Sequence, residues 1–142
     1  MIRVVLDTNV IVSAHLIGAS KSGRILFLAE AGIIEVYISP PILRELEATL
    51  LSPKLMKIHK ETPKQVRHAI RLLKEFAQMT PGTIEVDVVK ADPDDNKILA
   101  CAIEGAVDFI ISGDHHLTDL KEYRNIRIMS PDAFLQLVER RF

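Results

Sequence analysis

Four stretches of this chain set a carboxylate at or beside the end of an apolar run: Leu6-Asp7-Thr8-Asn9, Leu43-Arg44-Glu45-Leu46, Asp94-Asp95-Asn96 and Ser112-Gly113-Asp114. Acids near a core cost free energy, and like charges held together stay ionised only when a cation compensates them. If these four converge, a divalent metal site is the cheapest account. Oxygen ligands of this kind suit Mg²⁺ or Mn²⁺, one or two ions, which activate water and neutralise anionic charge. The question is whether the intervening elements bring the acids together.

Those elements alternate. Ile2–Leu6 is a continuous apolar, β-branched run, the pattern of a strand buried on both faces. A helix is expected over about 22–31, stopped by Gly32, then a strand over 33–39. Pro40-Pro41 opens a helix running to about Leu51, where Ser52-Pro53 breaks it. A basic segment leads to a helix from Pro63 to about Met79, ended by Thr80-Pro81-Gly82. Residues 84–89 read as extended but outside the main sheet. A helix from Pro93 to Glu104, strands over 107–112 and 126–129, and a closing helix over 131–140 complete the chain. The pattern predicts an α/β fold, a single domain over residues 1–142: a three-layer α/β/α sandwich around a mainly parallel sheet of four to five strands.

In open parallel sheets, sites form beyond the carboxyl ends of the strands. Asp7 and Asp114 both follow strands and so sit at that edge; the bland alternative for Asp7 is a polar turn capping the next helix. Asp92 fits an N-cap, and Asp94 fits a first helical turn, where acids complement the helix dipole. Asp95 differs, because at about 100° per residue it shares the azimuth of Ile98, Leu99 and Ala102, the face that must pack on the sheet. Glu45 and Glu47 flank the apolar direction of their helix on opposite borders, and helical geometry alone does not choose between them. His115-His116 have no partner histidine at metal-ligand spacing, which favours surface or capping roles.

The net charge of −1 hides an uneven distribution. Lys54, Lys57, Lys60, Lys64, Arg67, Arg71 and Lys74 face one acid, Glu61, within their segment, whereas residues 85–119 are rich in acids. Lys64, Arg67, Arg71 and Lys74 follow i, i+3, i+7, i+10 and form one stripe of a helix, suited either to solvation or to the phosphates of a nucleic acid. No aromatic residues are interleaved, so base stacking is not supported. Apolar residues make up 48% of the chain and none forms a membrane-length run, so no membrane association is expected. The start of the chain lacks signal-peptide character, and Cys101 is the single cysteine, set among Leu99, Ala100 and Ala102 as an inert buried thiol. A cytoplasmic protein is expected.

Val4-Val5-Leu6-Asp7-Thr8-Asn9-Val10, Ser39-Pro40-Pro41-Ile42-Leu43-Arg44-Glu45-Leu46, Asp92 through Ala100 and Ile110-Ile111-Ser112-Gly113-Asp114 resemble, in order, the four motifs of PIN domains. Each motif is short, but four in order across the whole chain are specific together. The resemblance is greatest to the toxin components of toxin–antitoxin systems, which resemble VapC ribonucleases. It implies a metal-dependent endoribonuclease that leaves a 5′-phosphate and a 3′-hydroxyl. It assigns Asp7, Glu45, Asp95 and Asp114 as the metal-holding catalytic acids, choosing Glu45 over Glu47, with Asn9 and Ser112 in support. It further implies an RNA substrate, an antitoxin protein as partner and a homodimer. One departure concerns the fourth acid: many toxin relatives carry Asn at the position of Asp114 and a further acid three residues on, where this chain has Leu117.

Two rival readings remain open from the sequence. One is a non-catalytic RNA- or protein-binding module of the same fold. The other is a phosphatase using Asp7 as nucleophile, as in haloacid-dehalogenase-like enzymes; those usually carry a second Asp two residues on, where this chain has Asn9.

Overall fold

Because Val4, Val5 and Leu6 have no polar face to offer water, β1 (Ile2–Leu6) lies at the centre of the sheet with these three side chains fully buried. A computed structural model of the chain describes residues 1–90 and 92–141. After β1 come α1 (Thr8–Leu16), α2 (Lys21–Glu30), β2 (Ile34–Ile38), α3 (Pro40–Leu50), α4 (Pro53–His59), α5 (Pro63–Phe76) and β3 (Gln78–Met79). A 3₁₀ turn (Pro93–Asp95) then leads into α6 (Asn96–Gly105), β4 (Phe109–Ile111), α7 (His115–Thr118), β5 (Glu122–Tyr123), β6 (Ile126–Met129) and α8 (Pro131–Arg141).

The sheet order is β3-β2-β1-β4-β6-β5, parallel throughout except for the β5–β6 pair. Helices cover it in a three-layer α/β/α arrangement, as the alternating pattern predicts. From β1 the chain winds outwards through β2 to β3, and then returns to the other side at β4. The switch point between β1 and β4 opens the crevice where ligands of such sheets bind. Six strands replace the expected four to five because two-residue pieces extend both edges. β3 pairs Gln78 and Met79 with Tyr37 and Ile38, so α5 stops at Phe76 rather than near Met79. Ala77 there turns to extended backbone (φ −81°, ψ 149°) and buries its side chain.

Local chemistry explains the element ends. The Thr62 hydroxyl accepts the Gln65 N–H at 3.1 Å while the Gln65 side chain accepts the Thr62 N–H at 2.8 Å, a capping box that starts α5. In α3, Ile42, Leu46 and Leu50 recur every four residues and are all buried, each contributing roughly 2 kcal/mol of burial. That stripe fixes the rotation of α3, and with it the directions of Glu45 and Glu47. The extended segment before the 3₁₀ turn makes no ladder pairs, in line with expectation, and is tied down by side chains instead. Asn96 accepts the N–H groups of Val88 (3.0 Å) and Val89 (2.8 Å) and donates to the Val89 carbonyl (3.1 Å). Glu104 accepts the N–H groups of Gly82, Thr83 and Ile84 at 2.9, 2.9 and 3.2 Å. These two residues of α6 hold the strap that leads to Asp92.

Candidate metal centre

Asp7 leaves the end of β1 at the switch point, with its backbone N–H on the Ile111 carbonyl at 2.9 Å. It stands at the N-cap position of α1, yet its side chain makes no capping bond. The Asn9 N–H faces its carboxylate, so a weak capping contact accompanies its role without exhausting it. Its carboxylate is buried, and Oδ2 accepts the Ser112 hydroxyl at 2.7 Å. Ser112, fully buried at the end of β4, in turn accepts the Asp114 N–H at 2.9 Å. One hydroxyl thus couples the acids of two neighbouring strands. Burial raises the Asp7 pKa, the Ser112 hydrogen bond opposes that, and the charges of Asp114 and Glu45 raise it further.

Asp95 enters from the other side. The 3₁₀ turn delivers it to the top of the α6 face that packs on the sheet, and it is only 6% exposed. Its Oδ2 is buried with no hydrogen-bond partner. Burial pushes its pKa up to about 8, helped by a proton shared with Asp114 and by the charges of Asp114, Asp7 and Asp92. Asp114 takes the opposite position. Burial works to raise its pKa too, but the shared Asp95 proton, the His116 N–H at 2.9 Å and the neighbouring imidazoles hold it below the ordinary value. Two carboxyls this close cannot both ionise unless a cation lies between them.

Asp92, Asp95, Asp114 and His116 each present one ligand atom, all four within 4.8 Å of one another. This group overlaps the expected set without matching it. The structure brings Asp95 and Asp114 together and puts Asp7 within electrostatic reach of both. Glu45 is close enough to perturb Asp7, but its carboxylate is ion-paired to Lys97 of α6, which also lies 3.8 Å from Asp94. Glu47 points elsewhere, to Arg67 of α5 at 3.3 Å.

Two residues of the group are not evident from the sequence. Asp92 holds the N-cap position expected of it but makes no side-chain capping bond, and its side chain joins the acids instead. His116 is expected at the surface; its Nδ1 is in fact buried without a hydrogen-bond partner, 3.4 Å from Asp114 Oδ1. Side chains lean towards the N-terminus of a helix, so the second residue of α7 folds back over its capping aspartate. His115 is the exposed one, as expected.

The remaining expected residues lie apart from this centre. The Asn9 side chain is exposed and makes no hydrogen bond among the described residues; its backbone N–H is what faces Asp7. Lys64, Arg67, Arg71 and Lys74 are all exposed on α5. Arg67 meets α3 at Glu47, about 200° around that helix from Glu45. Through Arg67 the cationic stripe meets the flank of α3.

A cluster of carboxylates with a buried oxygen left unpartnered fits a hard divalent cation; Asp114 also caps α7, but Asp92 and Asp95 make no side-chain capping bond. Comparison with known proteins bears on that fit. The family model described as "PIN domain" matches residues 3–116. An uncharacterised protein of Methanocaldococcus jannaschii is 30% identical over 152 aligned positions, covering 98% of this chain and 93% of that protein. Among solved structures, a chain of the crystal structure of VapBC2 from Rickettsia felis bound to a DNA fragment from their promoter superposes with a TM-score of 0.60. The match covers 91% of this chain and 98% of that chain at 15% identity, so it speaks for the fold.

Proposed function

Since this chain belongs to the PIN-domain family, we propose that it is a divalent-cation-dependent endoribonuclease centred on Asp7, Asp95 and Asp114, with Glu45 at the margin. The observation that carries this reading is the buried, unpartnered Oδ2 of Asp95 among like charges at the sheet's switch point. Mg²⁺ or Mn²⁺ bound there, as one or two ions, would neutralise the phosphate and lower the pKa of water. Asp7, Asp95 and Asp114 would hold the ion. Ser112 keeps Asp7 aimed into the crevice and so spares it a search among rotamers. Lys97 neutralises Glu45 until a second cation or a phosphate competes for it. The chain carries no obvious side-chain general base. Hydrolysis then breaks the P–O3′ bond, leaving a 5′-phosphate and a 3′-hydroxyl.

Single-stranded RNA is the substrate in this reading, with its backbone along Lys64, Arg67, Arg71 and Lys74. In the same reading the protein acts in the cytoplasm as the toxin of a toxin–antitoxin pair, as a homodimer restrained by an antitoxin protein. The four-motif resemblance to toxin components supports that role, and a fold shared with a chain of a VapBC complex is compatible with it. The test is incubation of the purified chain with a pool of cellular RNA, in Mn²⁺ or Mg²⁺ and in chelator, followed by mapping of the ends. Cuts that need the cation and carry 5′-phosphates are expected. An RNA pool left intact under all conditions would favour the non-catalytic binding module.

A further inference from the structure

We propose that the ion at this centre has an imidazole ligand, His116 Nδ1, and that Asp92, Asp95, Asp114 and His116 form a mixed oxygen–nitrogen site selective for Mn²⁺ over Mg²⁺. The inference rests on the cation-dependent reading above: Asp92 and His116 join Asp95 and Asp114 on the ion, with Asp7 facing the same centre. Two independent observations point to a ligand here. Asp95 is 94% buried and its Oδ2 has no partner. The His116 Nδ1 atom is buried without a hydrogen-bond partner, in an imidazole that is 34% exposed. Both atoms belong to groups whose ligand atoms lie within 4.8 Å of one another.

The backbone explains why these four converge. Asp92 stands at the N-cap of the 3₁₀ turn that ends in Asp95, and the Asp95 N–H donates to the Asp92 carbonyl at 3.1 Å, which holds the two residues together. Asp114 and His116 start α7, and the His116 N–H donates to Asp114 Oδ1 at 2.9 Å, which locks the two side chains as one unit. His116 Nδ1 is thereby held 3.4 Å from Asp114 Oδ1. A cation seated beside the pair can take a lone pair from each.

The ligand chemistry sets the preference. Mg²⁺ takes oxygen ligands and keeps its waters, so an imidazole adds little to its binding. Mn²⁺ accepts carboxylate oxygens and imidazole nitrogen together, and lies on the series along which nitrogen affinity rises. Three carboxylates and one imidazole therefore separate the two ions further than carboxylates alone would.

The experiment titrates the chelator-stripped full chain with MnCl₂ and with MgCl₂ by calorimetry, for wild type and His116→Gln. Electron spin-echo spectroscopy of the Mn²⁺-loaded wild type supplies a readout that needs no variant. Wild type should bind Mn²⁺ at least ~10-fold more tightly than Mg²⁺ and show modulation from a directly bound nitrogen. His116→Gln should lose ~10-fold or more in Mn²⁺ affinity while its Mg²⁺ affinity changes less than about 3-fold. Binding of both ions by wild type without the nitrogen signal, or an unchanged Mn²⁺/Mg²⁺ ratio in the variant, would overturn the imidazole ligand and leave the cation-dependent reading standing. Binding of neither ion by wild type would overturn both.

Discussion

Replacing Asp95 by Asn should stabilise the cation-free protein, and by an amount that depends on pH. An ordinary aspartate releases its proton near pH 4. Asp95 keeps its own up to about 8 because it is buried beside Asp114, Asp7 and Asp92. Between those values the folded chain carries a proton that the unfolded chain has lost, so stability falls as pH rises from about 4 to about 8. At ~1.4 kcal/mol per pH unit, the cost at pH 7 is roughly 4 kcal/mol for Asp95 alone. Asp114, held below its ordinary value by the shared proton, returns part of this, so the net for the pair is smaller. Asn cannot ionise and removes that cost. Urea unfolding in EDTA should show Asp95→Asn gaining stability, by less than ~4 kcal/mol, at pH 7–8 and little at pH 5. Saturating Mn²⁺ should cut into that gain, since an ion at ~100 times its Kd adds ~2.7 kcal/mol to wild type and less to the variant. An equal gain at pH 5 and pH 8, or none at either, would refute the charge-crowding argument.

Ser112→Ala removes the hydroxyl shared by Asp7 and Asp114. It should cost ~1–3 kcal/mol by chemical denaturation, because a buried carboxylate oxygen and a backbone N–H are left without their hydrogen bond. It should also slow RNA cleavage, since Asp7 is then free to turn. Replacing Lys64, Arg67, Arg71 and Lys74 together by Ala should weaken RNA binding evenly across sequences. The slope of log affinity against log salt should fall by ~0.7 for each phosphate that the stripe no longer neutralises, read by filter binding over a salt series.

The alternating pattern and the strand-end carboxylates make the layered sheet and the edge carrying Asp7 and Asp114 legible from composition and period. Asp95 is legible because its azimuth conflicts with its charge. Other features have weaker signals. β5 hairpins into β6 through Arg124 and Asn125, both at positive φ (49° and 67°), with no glycine to announce the turn. α1 is hidden because the residues after Asp7 are apolar nearly all round, with Val10, Ile11, Val12 and Ala14 buried, and so show no amphipathic period. Position alone assigns Asp92 to a cap, and only coordinates reveal that its side chain leaves the backbone uncapped. His116 is missed because sequence spacing looks for a second histidine. Its partners are carboxylates brought in by another segment, and pattern rules for histidine pairs do not register those. The Glu45–Lys97 pair joins α3 to α6 between residues far apart in the chain, and no local period encodes it.

The central claim is that the acids at the switch point between β1 and β4 carry out cation-dependent RNA cleavage. Asp7→Asn tests it most directly, because the variant keeps the shape of the side chain and its Ser112 contact while removing the charge. Wild type and variant, matched for fold by circular dichroism, should be compared on one RNA pool in saturating Mn²⁺ and Mg²⁺. The account predicts that wild type cleaves and that the variant falls by ~100-fold or more, the scale of losing a charged group at a reacting centre. Undiminished cation-dependent cleavage by Asp7→Asn would contradict it.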